Sequence, residues 1–454
     1  MRKYFGTDGI RRIANTELTP DLVFKVAKAG AYVLSKHTNH APTILIGRDT
    51  RISGTLIESA MVAGFLSYGA NVKLLGVMPT PAVAYLTRKL NADASVVISA
   101  SHNTYEFNGI KYFSNKGMKI PDSLEEEIEE IMDSDKLDDL TAVNEKIGVS
   151  EYALELIDEY VYFFRKNFDD DIAKFNRDDF IVGIDTANGA TYSVAEKVFK
   201  ALGIKYKIIN NNPDGININD NCGSTHLEGL KKFVKENHLS LGIAYDGDGD
   251  RCLAIDENGE EIDGDKILAI VSQNLRKQGK LNKDTIVATV MSNLGLNKFA
   301  RDNGLEFLQT KVGDRYVLEE MLKDGFNLGG EQSGHVIFLD YNPTGDGILT
   351  SLMLIKSILE ENKKASELGA LVKKYPQVLV NAKVNSNKKY DYEKDAEIKD
   401  KIEKLEKEFA GNGRVLIRPS GTEPLVRVMI EGENQEYISK KATEIAKLIE
   451  QKLK

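Results

Sequence analysis

Short apolar runs rich in Val and Ile alternate with amphipathic stretches of helix length through most of the chain. Apolar runs of four to eight residues between turn signals predict strands, and a 3.6-residue apolar spacing predicts helices. On that basis residues 43–47, 72–75 and 94–98 are strands. A helix over 55–68 joins the first two, and a polar loop over 99–108 follows the third. A helix from 150 to about 168 leads to a second set, with strands at 180–184 and at 241–245, the latter ending directly at Asp246. A third set begins near Asp263, with strands around 285–289 and 306–310 and a last helix from about 345 to 359. Such alternation argues for βαβ units around largely parallel sheets. Beyond about Lys373 the texture changes to strands at 378–384, 414–417 and 426–430 with Lys- and Glu-rich helices, a smaller α+β unit. Each larger unit sets a strand before a polar loop, as in Gly47-Arg48-Asp49 and Asp185-Thr186-Ala187-Asn188-Gly189, which hints at a repeated architecture.

Size and charge narrow the function. A chain of 454 residues exceeds what one core supports, so three or four domains are expected. The net charge of −9 argues against a general nucleic-acid binder, while a few local Arg and Lys residues suffice for a phosphorylated ligand. The acidic stretch 122–139 reads as a solvated face. Cys222 and Cys252 lack zinc or disulfide spacing. No apolar run follows the charged start, and no stretch approaches bilayer length, so the expected compartment is the cytoplasm.

Four segments can carry chemistry. In Asp246-Gly247-Asp248-Gly249-Asp250-Arg251 three carboxylates at alternate positions, spaced by glycines, can converge on one hard cation. An EF-hand also has acids at its first, third and fifth positions. Here the sixth position is Arg251 and the flanks read as strands, which argues against that module. An acidic turn with no cation would leave three close carboxylates repelling one another. Ile98-Ser99-Ala100-Ser101-His102-Asn103 places a serine just beyond a buried strand, with His102 to shape its hydrogen bonding, where ligands of open α/β sheets bind. Taken alone it reads as an ordinary polar turn, and no glycines flank the serine as in a hydrolase elbow. Arg418-Pro419-Ser420-Gly421-Thr422-Glu423-Pro424 with Arg427 suits a phosphate dianion, against a plain hairpin turn. Gly329-Gly330-Glu331-Gln332-Ser333-Gly334-His335 can hydrogen-bond a polyhydroxylated ligand, against a glycine turn before a strand.

With the opening Phe5-Gly6-Thr7-Asp8-Gly9-Ile10-Arg11, these segments resemble, in order and spacing, the α-D-phosphohexomutase superfamily nearly end to end. The start of the chain, residues 329–335, Thr344-Gly345-Asp346-Gly347 and Cys222-Gly223-Ser224-Thr225-His226 are most similar to its bacterial branch acting on glucosamine phosphates. The resemblance implies three similar α/β domains with mixed sheets and a smaller C-terminal α+β domain around a central cleft. It divides the chain into a phosphoserine domain (1–150), a metal-binding domain (151–256), a sugar-recognition domain (257–370) and a phosphate-binding domain (371–454). Ser101 then carries a phosphoryl group, and one phosphate oxygen with Asp246, Asp248 and Asp250 binds Mg²⁺. Lys111, Arg11 and His335, with His102 beside the serine, become acid, base and charge stabilisers. Glu331 and Ser333 hold sugar hydroxyls, and Lys311 is a further substrate contact. Arg418, Ser420, Gly421, Thr422 and Arg427 grip the non-reacting phosphate, and Arg251 pairs with the phosphoserine loop.

The implied reaction interconverts glucosamine 6-phosphate and glucosamine 1-phosphate, with glucosamine 1,6-bisphosphate as intermediate and activator, and supplies UDP-N-acetylglucosamine for cell-wall synthesis. The implied partner is a phosphorylated hexosamine, with no nucleic acid or membrane, and a homodimer is compatible with the family. The competing readings are a phosphoglucomutase or phosphomannomutase, a non-catalytic phosphosugar-binding protein, and a metal-dependent phosphatase. The sequence departs from the superfamily pattern at Thr104, in place of proline, Phe107, in place of aspartate, and Arg12, in place of glycine.

Overall fold

The computed structural model describes residues 3–6, 8–175, 177–420 and 423–454. The chain forms two compact units, one running to Met291 and including Leu305–Leu371, the other made of Ser292–Gly304 and Val372–Lys454.

The first unit holds three mixed sheets. In the first, strands are ordered Ile10–Ile13, Phe107–Ser114, Ala94–Ile98, Thr43–Arg48, Asn71–Val77 and Ser150–Tyr152. The pairs from Ala94–Ile98 outward through Thr43–Arg48 and Asn71–Val77 to Ser150–Tyr152 are parallel, and the two on the other side are antiparallel. Ala94–Ile98 is buried along its whole length, as a continuous apolar run requires. Val96, Ile98, Ile44 and Ile46 pack with Val23 and Val26 of helix Pro20–Ser35 and Met61 and Phe65 of helix Gly54–Tyr68. The helix expected from 150 begins instead at Ile157. The Ser-Glu-Tyr run before it adds an exposed edge strand to the sheet, too short to show an alternating pattern.

The second sheet is ordered Glu261–Ile262, Cys252–Asp256, Leu241–Tyr245, Ile181–Asp185, Lys205–Ile209, and the third Glu306–Thr310, Thr285–Thr289, Leu328–Gly330, Val336–Phe338. All three sheets share one device. A strand with a parallel neighbour on one side turns back through an antiparallel hairpin on the other: Ala94–Ile98 into Phe107–Ser114, Leu241–Tyr245 into Cys252–Asp256, Leu328–Gly330 into Val336–Phe338. The hairpin loops are the segments singled out above for chemistry, so the repeat glimpsed in the sequence is a repeat of functional loops. The sheets are mixed, as the family resemblance implies, because these returns are too short for a helical crossover and pair antiparallel.

Helix Ile157–Phe175 ties the sheets together: Phe163 packs at a tilt against Tyr85, ring centroids 4.8 Å apart, and Phe168 stacks on Tyr341 at 6.0 Å. Buried Asp346 caps helix Gly347–Glu361 by accepting from the Leu349 N–H at 2.9 Å, and also accepts from the Tyr160 hydroxyl at 2.7 Å. Burial raises its pKa to about 6. Asp346→Ala removes the cap and orphans a buried hydroxyl. It is expected to lower stability by roughly 2–4 kcal/mol in denaturant titration, from the usual costs of those two losses.

In the second unit an antiparallel sheet, ordered Gln377–Lys383, Leu425–Gly432, Gly413–Pro419, packs Ala382, Val426, Val428 and Ile430 against Ile398 of helix Ala396–Phe409 and Ile438, Ile445 and Ile449 of helix Gln435–Leu453. No described helix is long and apolar enough to cross a membrane.

Candidate active site

Strand register aims the first two cations. Lys111 lies opposite Val97 in the returning strand, and Arg11 lies opposite Gly109 on its other neighbour. Residues two apart on a strand, and cross-strand partners, share a face, so Arg11 and Lys111 project together. Arg12 necessarily points the other way, where it lies over the Tyr4 ring and donates to the Lys3 carbonyl, so its replacement of glycine adds nothing on the Lys111 face. The Lys111 ammonium is buried. It donates to Asp248 Oδ2 at 2.8 Å and lies 3.3 Å from Asp8 and 3.9 Å from Asp250.

The pairing of Tyr245 with Cys252 closes the Asp246–Arg251 loop against the turn that carries Ser101. Gly247 permits this approach, since a Cβ there would sit 2.5 Å from the Ser101 carbonyl oxygen. The Ser101 hydroxyl donates to Asp246 Oδ2 at 2.6 Å, and Thr80 donates to Asp248 Oδ2 at 2.7 Å. Oxygens of the three buried aspartates lie within 4.8 Å of one another. Burial, then the Asp250 and Asp248 charges, push the Asp246 carboxyl well above the usual range. Among the described residues, Asp248 Oδ1 and Asp250 Oδ1 are buried without a hydrogen-bond partner. Orphaned, mutually repelling, all-oxygen donors fit a hard divalent cation such as Mg²⁺.

His102 Nδ1 lies 3.5 Å from Ser101 Oγ and accepts from the Arg251 guanidinium at 3.2 Å. Burial, then the Arg251 charge, lower its pKa to about 4, so the ring is neutral at neutral pH and orients rather than charges the serine's surroundings. The Arg251 N–H also donates to Asp246 at 3.1 Å.

From the third sheet, His335 Nδ1 lies 3.5 Å from Asp250, and its Nε2 accepts from the Gly345 N–H at 3.0 Å. In the same hairpin turn Ser333 Oγ is buried with no hydrogen-bond partner among the described residues, and burial raises the Glu331 pKa. Lys311 is exposed, its ammonium 6.0 Å over the Tyr316 ring.

The sequence reading gave no role to Asp8, Thr80, Lys119 or Asp314. Lys119 ion-pairs with Asp8 and, at 2.6 Å, with Asp314, which lies 3.5 Å from His335 Nε2. Arg11 also pairs with Asp8. Acidic and basic groups thus form a closed circuit, Asp248–Lys111–Asp8–Lys119–Asp314–His335–Asp250, with members from all three sheet units. Asp8 lies inside the opening motif and Asp314 three residues beyond Lys311, whereas Lys119, bridged to Phe113, follows a short turn and has no local signature.

In the second unit, Arg418 and Arg427 are directly opposite across the hairpin. Like charges so placed destabilise a sheet, and burial, then Arg427, lower the Arg418 pKa, so the pair is suited to a dianion. Arg427 Nε is buried without a partner among the described residues, and Ser420 Oγ accepts from the Glu423 N–H at 3.3 Å. Gly421 and Thr422 lie outside the described residues.

Comparison with known proteins agrees with this arrangement. Residues 2–139, 158–259 and 263–375 match the phosphoglucomutase/phosphomannomutase alpha/beta/alpha domains I, II and III, and residues 379–448 match the C-terminal domain of the same family. The chain is 54% identical to a phosphoglucosamine mutase of Acetivibrio thermocellus, covering 100% of both chains. Among solved structures it resembles a phosphoglucomutase/phosphomannomutase family protein from Burkholderia thailandensis, with a TM-score of 0.79 and 22% identity over 98% of each chain. It also resembles the N-acetylphosphoglucosamine mutase of Aspergillus fumigatus in complex with GlcNAc-6P and magnesium, with a TM-score of 0.69 and 17% identity over 99% of this chain and 96% of that one. With four domain matches in order and a full-length relative at 54% identity, the chain belongs to the phosphoglucomutase/phosphomannomutase family and, within it, to the phosphoglucosamine mutases.

Proposed function

We propose that the chain interconverts glucosamine 6-phosphate and glucosamine 1-phosphate, with Ser101 as the phosphoryl relay. The observation that supports this most directly is the 2.6 Å hydrogen bond from the Ser101 hydroxyl into the buried three-aspartate loop. In the active form Ser101 bears a phosphoryl group. Its serine P–O bond breaks as a new P–O bond forms to O1 of glucosamine 6-phosphate; the O1 proton leaves to a neighbouring base and the departing serine oxygen takes up a proton. The resulting glucosamine 1,6-bisphosphate turns over in the site, Ser101 Oγ gives up its proton to a neighbouring base as it takes the O6 phosphoryl group, and glucosamine 1-phosphate leaves once O6 regains a proton. Free bisphosphate therefore also activates the enzyme by charging Ser101.

The chain's own residues divide this work. Lys111 Nζ, with Arg11 and His335, moves protons and stabilises charge around the transferring group, while neutral His102 and the Arg251 guanidinium orient the serine. Asp246, Asp248, Asp250 and an oxygen of the serine phosphate hold Mg²⁺, which when bound neutralises charge on the transferring phosphoryl group. Glu331 and Ser333 hydrogen-bond the sugar, and Lys311 is a further substrate contact. Arg418, Ser420, Gly421, Thr422 and Arg427 grip the phosphate that does not react. On this reading 1–150 is the phosphoserine domain, 151–256 the metal domain, 257–370 the sugar domain and 371–454 the phosphate domain. The enzyme acts on a phosphorylated hexosamine in the cytoplasm, feeding UDP-N-acetylglucosamine synthesis.

The test is to prime the protein with a hexose 1,6-bisphosphate and offer glucosamine, glucose and mannose 6-phosphates separately, with Mg²⁺ present. Turnover is expected to be fastest with the amino sugar, and intact mass should show one phosphoryl group on the resting chain. Preference for glucose or mannose would reassign the substrate. Release of inorganic phosphate would make the chain a phosphatase, and binding without turnover a sensor.

A further inference from the structure

The turn that carries Ser101 is closed by the Asn103 N–H donating to the Ala100 carbonyl at 3.1 Å, and the rest of its hold comes from outside it. Ser101 adopts a left-handed backbone, φ 52°, which costs a non-glycine residue free energy unless its surroundings impose it. Position 104, where the superfamily pattern has proline, is threonine, so the loop lacks that stiffening as well. What imposes the conformation is Arg51, which is 1% exposed and follows the strand Thr43–Arg48. Its guanidinium has five N–H donors, and all five are used. Nε donates to Asp49 Oδ2 at 2.8 Å, and the other four reach the carbonyl oxygens of Ser101 at 3.0 Å, Asn103 at 2.8 Å, Phe107 at 3.0 Å, and Thr104. Asp49 completes the circuit by accepting from Ser99 Oγ at 2.6 Å, and Ser99 Oγ accepts from the Ser101 N–H at 2.9 Å. From the second sheet unit, the side-chain amide of Asn219, 2% exposed, donates to two of the same carbonyls, Ser101 at 2.9 Å and Asn103 at 2.8 Å.

We infer that Arg51 and Asn219 are positioning residues for phosphoryl transfer: together they clamp the Ser101 turn through its carbonyls, hold its hydroxyl against the aspartate loop, and replace the proline missing at 104. The inference rests on Ser101 being the relay. Neither side chain touches the reacting atoms; both act through the backbone that aims them. Lysine cannot reproduce the clamp, because its ammonium has three donors on one atom rather than five in a planar fork.

Arg51→Lys and Asn219→Asp test this, the latter placing a carboxylate against two carbonyl oxygens while keeping size. Each is expected to lower kcat, on the order of 10²-fold for Arg51→Lys given what an ångström of misplacement costs, with KM for the sugar phosphate little changed. Uptake of phosphate onto Ser101 from hexose 1,6-bisphosphate, followed by intact mass, should slow in parallel, a readout that loss of stability alone would not move in a chain still folded at the assay temperature. A folded Arg51→Lys chain with wild-type kcat and wild-type phosphate uptake overturns the inference. If Arg51→Lys does not fold, Asn219→Asp decides: slowed uptake supports the clamp, and uptake at the wild-type rate overturns it. Ser101→Ala in the same assay separates the two levels. An inactive Ser101→Ala beside a normal clamp variant removes only the positioning role, whereas normal turnover by Ser101→Ala removes the relay and this inference with it.

Discussion

Ser101→Ala is expected to abolish interconversion, by on the order of 10⁴-fold or more, the scale on which removal of an essential nucleophile acts. The substitution deletes one hydroxyl and one hydrogen bond to Asp246, which keeps its bond from the Arg251 N–H. Alanine accepts the left-handed backbone no worse than serine, and the Arg51 and Asn219 bonds end on carbonyls the change does not touch. Stability should therefore fall by only about 1 kcal/mol, the worth of an ordinary hydrogen bond. A coupled assay, intact mass and calorimetric titration with glucosamine 6-phosphate check the three parts: no turnover, no phosphorylated form, near-normal binding. Turnover at the wild-type rate would place the relay on another group.

The second large effect is on the cation. Asp248→Asn keeps the shape of the side chain and removes one of three clustered negative charges, at the carboxylate that also receives Lys111 and Thr80. Hard cations bind through charged oxygens, so the Mg²⁺ concentration for half-maximal rate should rise at least about tenfold, together with a fall in kcat of roughly 10²–10³, the range seen when one electrostatic stabiliser is removed. Chelation should silence the wild-type chain in the same assay. If the variant's Mg²⁺ titration overlays that of the wild type, the cation sits elsewhere.

How much of this the amino acids reveal by themselves depends on range. Leu241–Tyr245, Thr285–Thr289 and Glu306–Thr310 match their expected bounds because each is a short apolar or β-rich run ended by a polar turn. The aspartate loop is legible because its chemistry is packed into six consecutive residues, whereas the serine turn stands out only through the family resemblance. Ser150–Tyr152 escapes because its strand character comes from pairing with Asn71–Val77, which no local periodicity encodes. The same holds at the site. Lys119 meets Asp314 across 195 positions, and Arg51 meets the Ser101 turn across fifty, so neither partnership leaves a local trace. Thr104, worrying as a departure in a string of letters, becomes unremarkable once its carbonyl is seen to be taken by Arg51.

The hairpin returns carry a consequence for how these enzymes tolerate change in length. Lys111 reaches Asp248 because an odd-numbered residue of Phe107–Ser114 faces that way, and alternation along a strand admits no intermediate setting. One residue inserted between His102 and Glu106 displaces carbonyls that Arg51 and Asn219 hold but leaves Lys111 on its own face of the sheet. The same insertion between Asn108 and Ile110 rotates the ammonium to the opposite layer of the sheet, among apolar side chains, and would extinguish the reaction without touching a single group that performs it.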